Sequence, residues 1–368
     1  MKINKHADYV LLSYFITITV FGLIMLASAS TAIGQARFDD SYFFIKRQLL
    51  FGVLPGLAVF FVFAKLDYRL LKKMAVPIFI GICIVLILVF IPGIGSSLGT
   101  GAHSWLIING RSLQPAEFAK LGLIIFMAAY LANAGKDIAD IKLGFLPALA
   151  LGLIPVILVV LQPDIGTVSI LFAIVFAMLF IAGARLRHLG ALAIIGIAGI
   201  TLMVMVAPYR AARLTTFLHP ELDPQGIGYH INQAFLAIGS GGFFGLGLGH
   251  SRQKFQYLPE VQADSIYAVI AEEMGFLFAA ALVILLVLIA YRGFILAKMS
   301  PDSFGRLLAA GIITWFIAQS FLNIGAMVGL LPLTGVPLPF VSHGGTALVV
   351  SMAAAGILIN ISKHATYR

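Results

Sequence analysis

The feature that most constrains this chain is a succession of apolar runs, each close to 20 residues long and separated by short charged segments. A helix rises about 1.5 Å per residue, so roughly 20 residues cross the ~30 Å hydrocarbon core of a bilayer with all backbone groups bonded internally. Ten such runs can be drawn, at 9–29, 44–64, 74–93, 117–133, 144–162, 166–184, 189–207, 265–291, 306–330 and 344–362. They are continuously apolar rather than alternating, which excludes a closed β-barrel. Composition agrees: with 61% hydrophobic and 11% charged residues and a mean hydropathy of +1.03, 368 residues carry too little polar surface for a water-soluble globule. The expected fold is all-α and polytopic, one membrane domain over 1–368 with about ten transmembrane helices. A large loop, 208–264, separates helices 7 and 8.

The first run follows Lys2 and Lys5 and ends at Ala27-Ser28-Ala29, the small residues of a signal-peptidase site. It exceeds the usual length of a cleaved signal's apolar region, so it reads as an uncleaved first helix. With a cytoplasmic N-terminus, most of the 24 Lys and Arg residues fall inside, among them Lys65, Arg69, Lys72, Lys73, Lys136, Lys142, Arg185, Arg187, Arg292, Lys298, Arg306, Lys363 and Arg368. Both termini are then cytoplasmic, and 94–116, 208–264 and 331–343 face outward. The net charge of +9 is scattered among the runs instead of forming a stripe, which argues against nucleic acid and for contact with membrane lipids. Cys83 is the single cysteine, so neither a disulfide framework nor a thiol metal site is available. No repeat of fixed period and no matching pair of interrupted spans supports a transporter.

Five acids, Glu117, Asp164, Asp264, Glu272 and Glu273, lie within or beside apolar runs, where an ionisable group is costly and therefore a candidate for function. Glu117 and Lys120 are three apart on one face of a helix that starts at Pro115. They form either a structural ion pair or a site in which Lys120 meets a substrate phosphate and Glu117 orients it. Asp164, in Gln162-Pro-Asp-Ile-Gly166, reads most simply as a helix N-cap. Arg210, Arg213, Arg252 and Lys254 lie near the two membrane ends of the large loop, suited to phosphate or pyrophosphate, or to anchoring on anionic lipid. The glycine-rich run 239–249 fits neither GxGxxG nor a P-loop and reads as a flexible or re-entrant backbone turn. His103, His219, His230, His250 and His343 have no zinc-site spacing, and hydrogen bonding is their default role. A labile divalent cation, magnesium or manganese, held by carboxylates and pyrophosphate stays open.

Asp264 has a distinctive context. It follows Tyr257-Leu-Pro-Glu260 and precedes Ile266-Tyr-Ala-Val-Ile270, the start of the eighth run. Partial desolvation there raises a carboxyl pKa toward that of a useful general base, although an N-cap explains an acid at that position equally simply.

Taken in order, several long motifs resemble those of the SEDS proteins (shape, elongation, division and sporulation), which include RodA and FtsW. They are Gly101-Ala-His-Ser-Trp105, Gln114-Pro-Ala-Glu-Phe-Ala-Lys120, Gln162-Pro-Asp-Ile-Gly-Thr167, the loop from Arg213 through Gly226-Ile-Gly-Tyr229 to Gly249, Leu258-Pro-Glu260 with Asp264, and Gly335-Val-Pro-Leu-Pro-Phe-Val-Ser342-His-Gly-Gly345. The resemblance runs from about residue 10 to residue 360. Two positions depart from the usual pattern: Ala263-Asp264-Ser265 stands where the family commonly has Thr-Asp-Phe, and Ser342-His343-Gly344-Gly345 where it has Ser-Tyr-Gly-Gly. The segment Ser251–Glu260 looks more like the division and sporulation branch than the elongation branch.

The resemblance implies a peptidoglycan glycosyltransferase of the bacterial cytoplasmic membrane, for cell division or cell-wall synthesis. It would polymerise lipid II at the outer face with release of undecaprenyl pyrophosphate, together with a class B penicillin-binding protein and other division or elongation proteins. It also implies Asp264 as the catalytic acid, with Glu117, Lys120, Arg213 and Ser342 as substrate contacts; Arg210 joins them from its place at the loop's membrane end. Because the donor bond is α and the product bond β-1,4, a single inverting displacement is expected, with Asp264 as base and the cations on the pyrophosphate. A lipid II flippase and a non-catalytic division scaffold are the competing classes.

Overall fold

The structure is a computed structural model that describes residues 7–365 except 97–103, 109–110, 207, 220–222, 224–225 and 256. Its membrane helices are α1 (Tyr9–Ala29), α2 (Phe43–Lys65), α3 (Ala75–Leu88), α4 (Pro115–Ala134), α5 (Ile141–Val160), α6 (Ile165–Ala182) and α7 (Leu186–Val206). After two loop helices, α8 (Pro208–Leu218) and α9 (Ile227–Ser240), come α10 (Ile266–Met299), α11 (Ser303–Met327) and α12 (Gly345–His364). Among the described residues nine of these helices are long and apolar enough to span a membrane. The third expected span is the exception: α3 has 14 residues, about 21 Å of helix, and the chain turns at Pro92-Gly93 before it could reach the expected end.

The bundle is organised around α4, α11 and α12, whose side chains are mostly enclosed by protein, whereas α7 is largely exposed on its flanks. Helix α11 packs against α4, α6 and α10, and α12 lies along α2. Buried side chains such as Leu123, Ile124, Trp315 and Leu358 fill the interior.

Two segments between spans carry structure of their own. The 94–116 segment holds a small antiparallel sheet, β1 (Gly95–Ser96), β2 (Trp105–Ile108) and β3 (Arg111–Leu113), in the order β1-β2-β3. The two residues between β2 and β3 in sequence are Asn109-Gly110, the dipeptide most suited to a two-residue hairpin. The 208–264 segment contains α8 and α9. Helix α9 turns Ile231, Ala234 and Ala237 inward against α10, a helical spacing that reading the segment as one polar interval overlooked.

The 34 residues of α10 would make a rod of about 51 Å, but the helix is broken at Gly275, where φ is 75° and ψ is −179°. The glycine-rich run supplies the missing bonds. Leu246 N donates to Glu272 O (3.0 Å), Gly247 N to Glu273 O (2.9 Å), and Phe276 N to Gly242 O (2.9 Å). The two backbones come so close that a Cβ on Gly275 would lie 2.3 Å from Gly245 N. The run is thus a tight backbone turn that satisfies an interrupted helix, while most of its own residues lie exposed.

Candidate functional site

Asp264 sits on a tight turn that begins at Glu260, whose φ of 48° is in the left-handed region. Ala263 N and Ser265 N both donate to Glu260 O, at 2.9 and 3.3 Å, closing the turn just before α10. Three neighbouring residues are then pinned from three directions. Ser342 Oγ donates to Ala263 O (2.5 Å) while accepting from Leu338 N (2.8 Å). Asn323 Nδ2, on α11, donates to Asp264 O and to Val336 O, both at 2.8 Å. Ser265 Oγ donates to Pro259 O (2.8 Å) and lies 2.7 Å from His230 Nε2 on α9.

The 335–344 segment that faces Asp264 is held just as firmly. One helical turn before Asn323, Gln319 Nε2 donates to Pro337 O (2.8 Å), and from α2 the buried Gln48 accepts from Gly344 N at 3.0 Å. Gly22 of α1 admits the segment, since a Cβ there would meet Phe340 O at 2.6 Å. Phe340 itself has φ 65°, so both loops of the site contain a non-glycine residue in the left-handed region, at a cost of about 1–3 kcal/mol each that the surrounding bonds sustain.

The carboxylate is treated differently from its backbone. Asp264 is partly exposed, but its Oδ1 is enclosed and has no hydrogen-bond partner. Burial, followed by the charge of Glu260, pushes its pKa up to about 7, opposed by the Arg213 guanidinium and by local hydrogen bonds. Burial and then Arg213 push His230 down to about 4, and burial and then Arg47 do the same to His343, so both imidazoles are neutral at pH 7. The His343 ring stacks edge-on against Phe44 at 5.2 Å, and its backbone N–H donates to Gln262 O (2.8 Å).

The other expected site residues divide. Arg213, on α8, is close enough to act electrostatically on both Asp264 and His230. Arg210 lies on the same helix, but its side chain is outside the described residues, as are Gly101, Ala102 and His103. Lys120 is fully buried, with Nζ 2.7 Å from Glu117 Oε1, 2.7 Å from Gln319 Oε1 and 5.1 Å from the Trp315 ring centre. The ion pair foreseen as the simpler reading is present, linked through Gln319 to Pro337; Glu117 Oε2 has no partner. Ser342 commits its hydroxyl to the two bonds that hold the Asp264 turn, and substrate contact would require exchanging one of them.

Lys254 departs from expectation. It does not point outward toward a phosphate but is buried, with Nζ 2.8 Å from Glu273 Oε1 and 2.7 Å from Gly249 O. Glu272 and Glu273 serve the same cluster, and Asp164 is an N-cap, accepting from Thr167 N (2.9 Å) and Thr167 Oγ1 (2.8 Å). Sequence reasoning missed Gln48, Gln319 and Asn323 because it weighed only ionisable groups. Gln319 and Asn323, four apart on an apolar helix, were a signal of the same kind. Among the described residues no group of three His, Cys, Asp or Glu side chains could hold a metal ion by itself.

A polytopic helical bundle with a carboxylate whose backbone is pinned and whose Oδ1 lacks a partner, at the end of the longest segment between spans, defines a class of helical membrane protein. A model of the family described as "Cell cycle protein", which joins FtsW, RodA and SpoVE, matches residues 9–367. The chain is 40% identical to Stage V sporulation protein E of Bacillus subtilis, over 98% of each chain. It is 38% identical to a probable peptidoglycan glycosyltransferase FtsW of a Geobacter species, over 97% of each. Among solved structures it resembles a chain of a peptidoglycan synthase complex studied for the coordination of polymerization and crosslinking (TM-score 0.76, 28% identity, 97% of each chain). It also resembles the rod shape determining protein RodA of Thermus thermophilus (TM-score 0.73, 27% identity, 98% of each). The chain belongs to the SEDS family, on its FtsW and SpoVE branch.

Proposed function

We propose that this protein is a peptidoglycan glycosyltransferase that polymerises lipid II into glycan strands, with Asp264 as general base. The observation that carries the reading is the Asp264 carboxyl itself: its backbone is pinned on both sides while Oδ1 has no partner and its pKa stands near 7. A base that must take a proton from a sugar hydroxyl near neutral pH works best with a pKa of that kind. The bond from the donor sugar to pyrophosphate is α and the product bond β-1,4, so one inverting step suffices. Asp264 takes the proton of the acceptor 4-hydroxyl, that oxygen attacks the donor anomeric carbon, and the electron pair of the breaking bond leaves with undecaprenyl pyrophosphate.

Arg213 and Arg210 on α8 neutralise the departing pyrophosphate. Glu117 and Lys120 enter the site only if the substrate draws the ammonium away from its partners, and Ser342 only if it exchanges a bond. A divalent cation, magnesium or manganese, would add charge neutralisation on the pyrophosphate; polymerisation with and without a chelator tests this.

In this reading the 208–264 and 335–344 segments face outward and both termini are cytoplasmic, in the bacterial inner membrane, which the Lys and Arg distribution supports. The lipid tails of both substrates stay in the bilayer while their sugars meet at its surface. A class B penicillin-binding protein is the proposed partner, by analogy with the synthase complex. The deciding experiment is polymerisation of purified lipid II in detergent by wild type and Asp264→Asn, with and without that partner. Glycan product that disappears in the variant supports the reading, whereas a flippase or a scaffold makes no product at all.

A further inference from the structure

Three consecutive residues surround the proposed base, and each has a separate tether. Ala263 is tied by Ser342 and Asp264 by Asn323, both through backbone carbonyls, and Ser265 is tied through its side chain by His230. The Ser265 hydroxyl proton is directed at Pro259 O, so the ring nitrogen 2.7 Å away must bring its own hydrogen: His230 Nε2–H donates to Ser265 Oγ.

We infer that His230 is a positioning residue for Asp264, acting through Ser265. The ring fixes the Ser265 hydroxyl, the hydroxyl ties the turn back to Pro259, and the aim of the carboxylate is set from α9 as well as from α11. The inference rests on Asp264 being the base. The groups that face Asp264 are Arg213 on α8, His230 on α9, Glu260 on its own turn, Asn323 on α11, Ser342 and, across Gln262, His343. Arg213 and Glu260 act on Asp264 through their charge, whereas the neutral His230 works by geometry. Loosening the turn that aims the carboxylate weakens its interaction with Arg213, which favours the ionised form, and so makes Asp264 harder to ionise.

The test is steady-state polymerisation of lipid II by the full-length protein across pH 5.5–9 (about the range of the proposed base), with thermal stability followed in parallel. His230→Leu and Ser265→Ala should each lower kcat about tenfold with KM within roughly twofold, and each should displace the acid limb of the kcat profile to higher pH. The double variant should be no worse than the poorer single, and His230→Gln, whose amide reaches the same donor position, should recover to within about threefold. A link that only stitches α9 to α10 would lower stability and leave the acid limb where it is. The inference is overturned if both single variants keep the wild-type acid limb, or if their losses multiply in the double. A fully active Asp264→Asn would instead overturn the assignment of the base.

Discussion

Two carboxylate sites flank the start of α10, within nine residues of each other, and they are built on opposite terms. In the Glu272–Glu273 cluster every oxygen is bonded. Glu272 Oε1 accepts from Arg252 N (2.9 Å) and Oε2 from Ser251 Oγ (2.5 Å). Glu273 Oε1 accepts from Lys254 Nζ (2.8 Å) and Oε2 from Ser28 Oγ of α1 (2.6 Å). At Asp264 the bonds go to the backbone and leave Oδ1 bare. Both sites are expensive to bury. The first recovers the cost by binding α1, the 249–254 segment and the broken helix together; the second leaves it uncompensated at Oδ1. Of these two sites, only Asp264 keeps a carboxylate oxygen without a partner.

The contrast is broken most easily by exchanging the roles. Asp264→Asn should reduce polymerisation by two to four orders of magnitude while the protein still folds, as measured by product formation from lipid II and by melting in detergent. Glu273→Gln should do the reverse. It leaves the Lys254 ammonium buried without its counter-charge, costing about 3–5 kcal/mol in stability, with turnover per folded molecule within about threefold of wild type. If Glu273→Gln abolished turnover in fully folded protein, the division into a structural and a reactive site would fail.

The pH dependence sharpens the same contrast with a worked sign. Asp264 holds its proton up to about pH 7 in the folded chain but only to about 3.8 when unfolded. The folded state therefore binds the extra proton between those values, and the stability it contributes is full below pH 4 and lost as pH rises through 7. Asp264→Asn does not lose it. The melting advantage of the variant should be near zero below pH 4, grow to pH 7 and level off above, worth up to about 4 kcal/mol. Activity runs the other way, since the base must be ionised: wild-type kcat should rise with pH through about 7.

A smaller effect is expected from Ser28→Ala, which removes one donor from Glu273 Oε2 and should cost about 1–3 kcal/mol by equilibrium unfolding, without changing the pH profile.

Much of this was legible beforehand. Nine of the ten expected spans are met by helices long and apolar enough to cross a membrane among the described residues, because hydrocarbon admits no unpaired backbone and so favours continuous helices. Asp164 as a cap and Glu117–Lys120 as an ion pair follow from local spacing, three residues in each case. The glycine-rich run could be excluded as a nucleotide loop for want of the right register. What could not be read was which side chains meet across long separations. Lys254 looked like a phosphate ligand because its partner Glu273 is 19 residues away and Ser28 more than 200. Gln319 and Asn323 looked like incidental amides because the carbonyls they bind, Val336, Pro337 and Asp264, come together only when the 335–344 segment folds back over α11.

The sequence by itself determined that this is a polytopic helical membrane protein of the SEDS family, and it singled out Asp264 among the acids. Those are properties of composition, period and ordered motifs, carried by neighbours along the chain. The tertiary structure alone decided which buried carboxylates are satisfied, that α10 is interrupted and repaired by a glycine turn, and that Asp264 is held by its backbone and left free at Oδ1. Hydrogen bonds between distant segments are what neutralise or expose a buried charge, and they exist only once the bundle has closed around them.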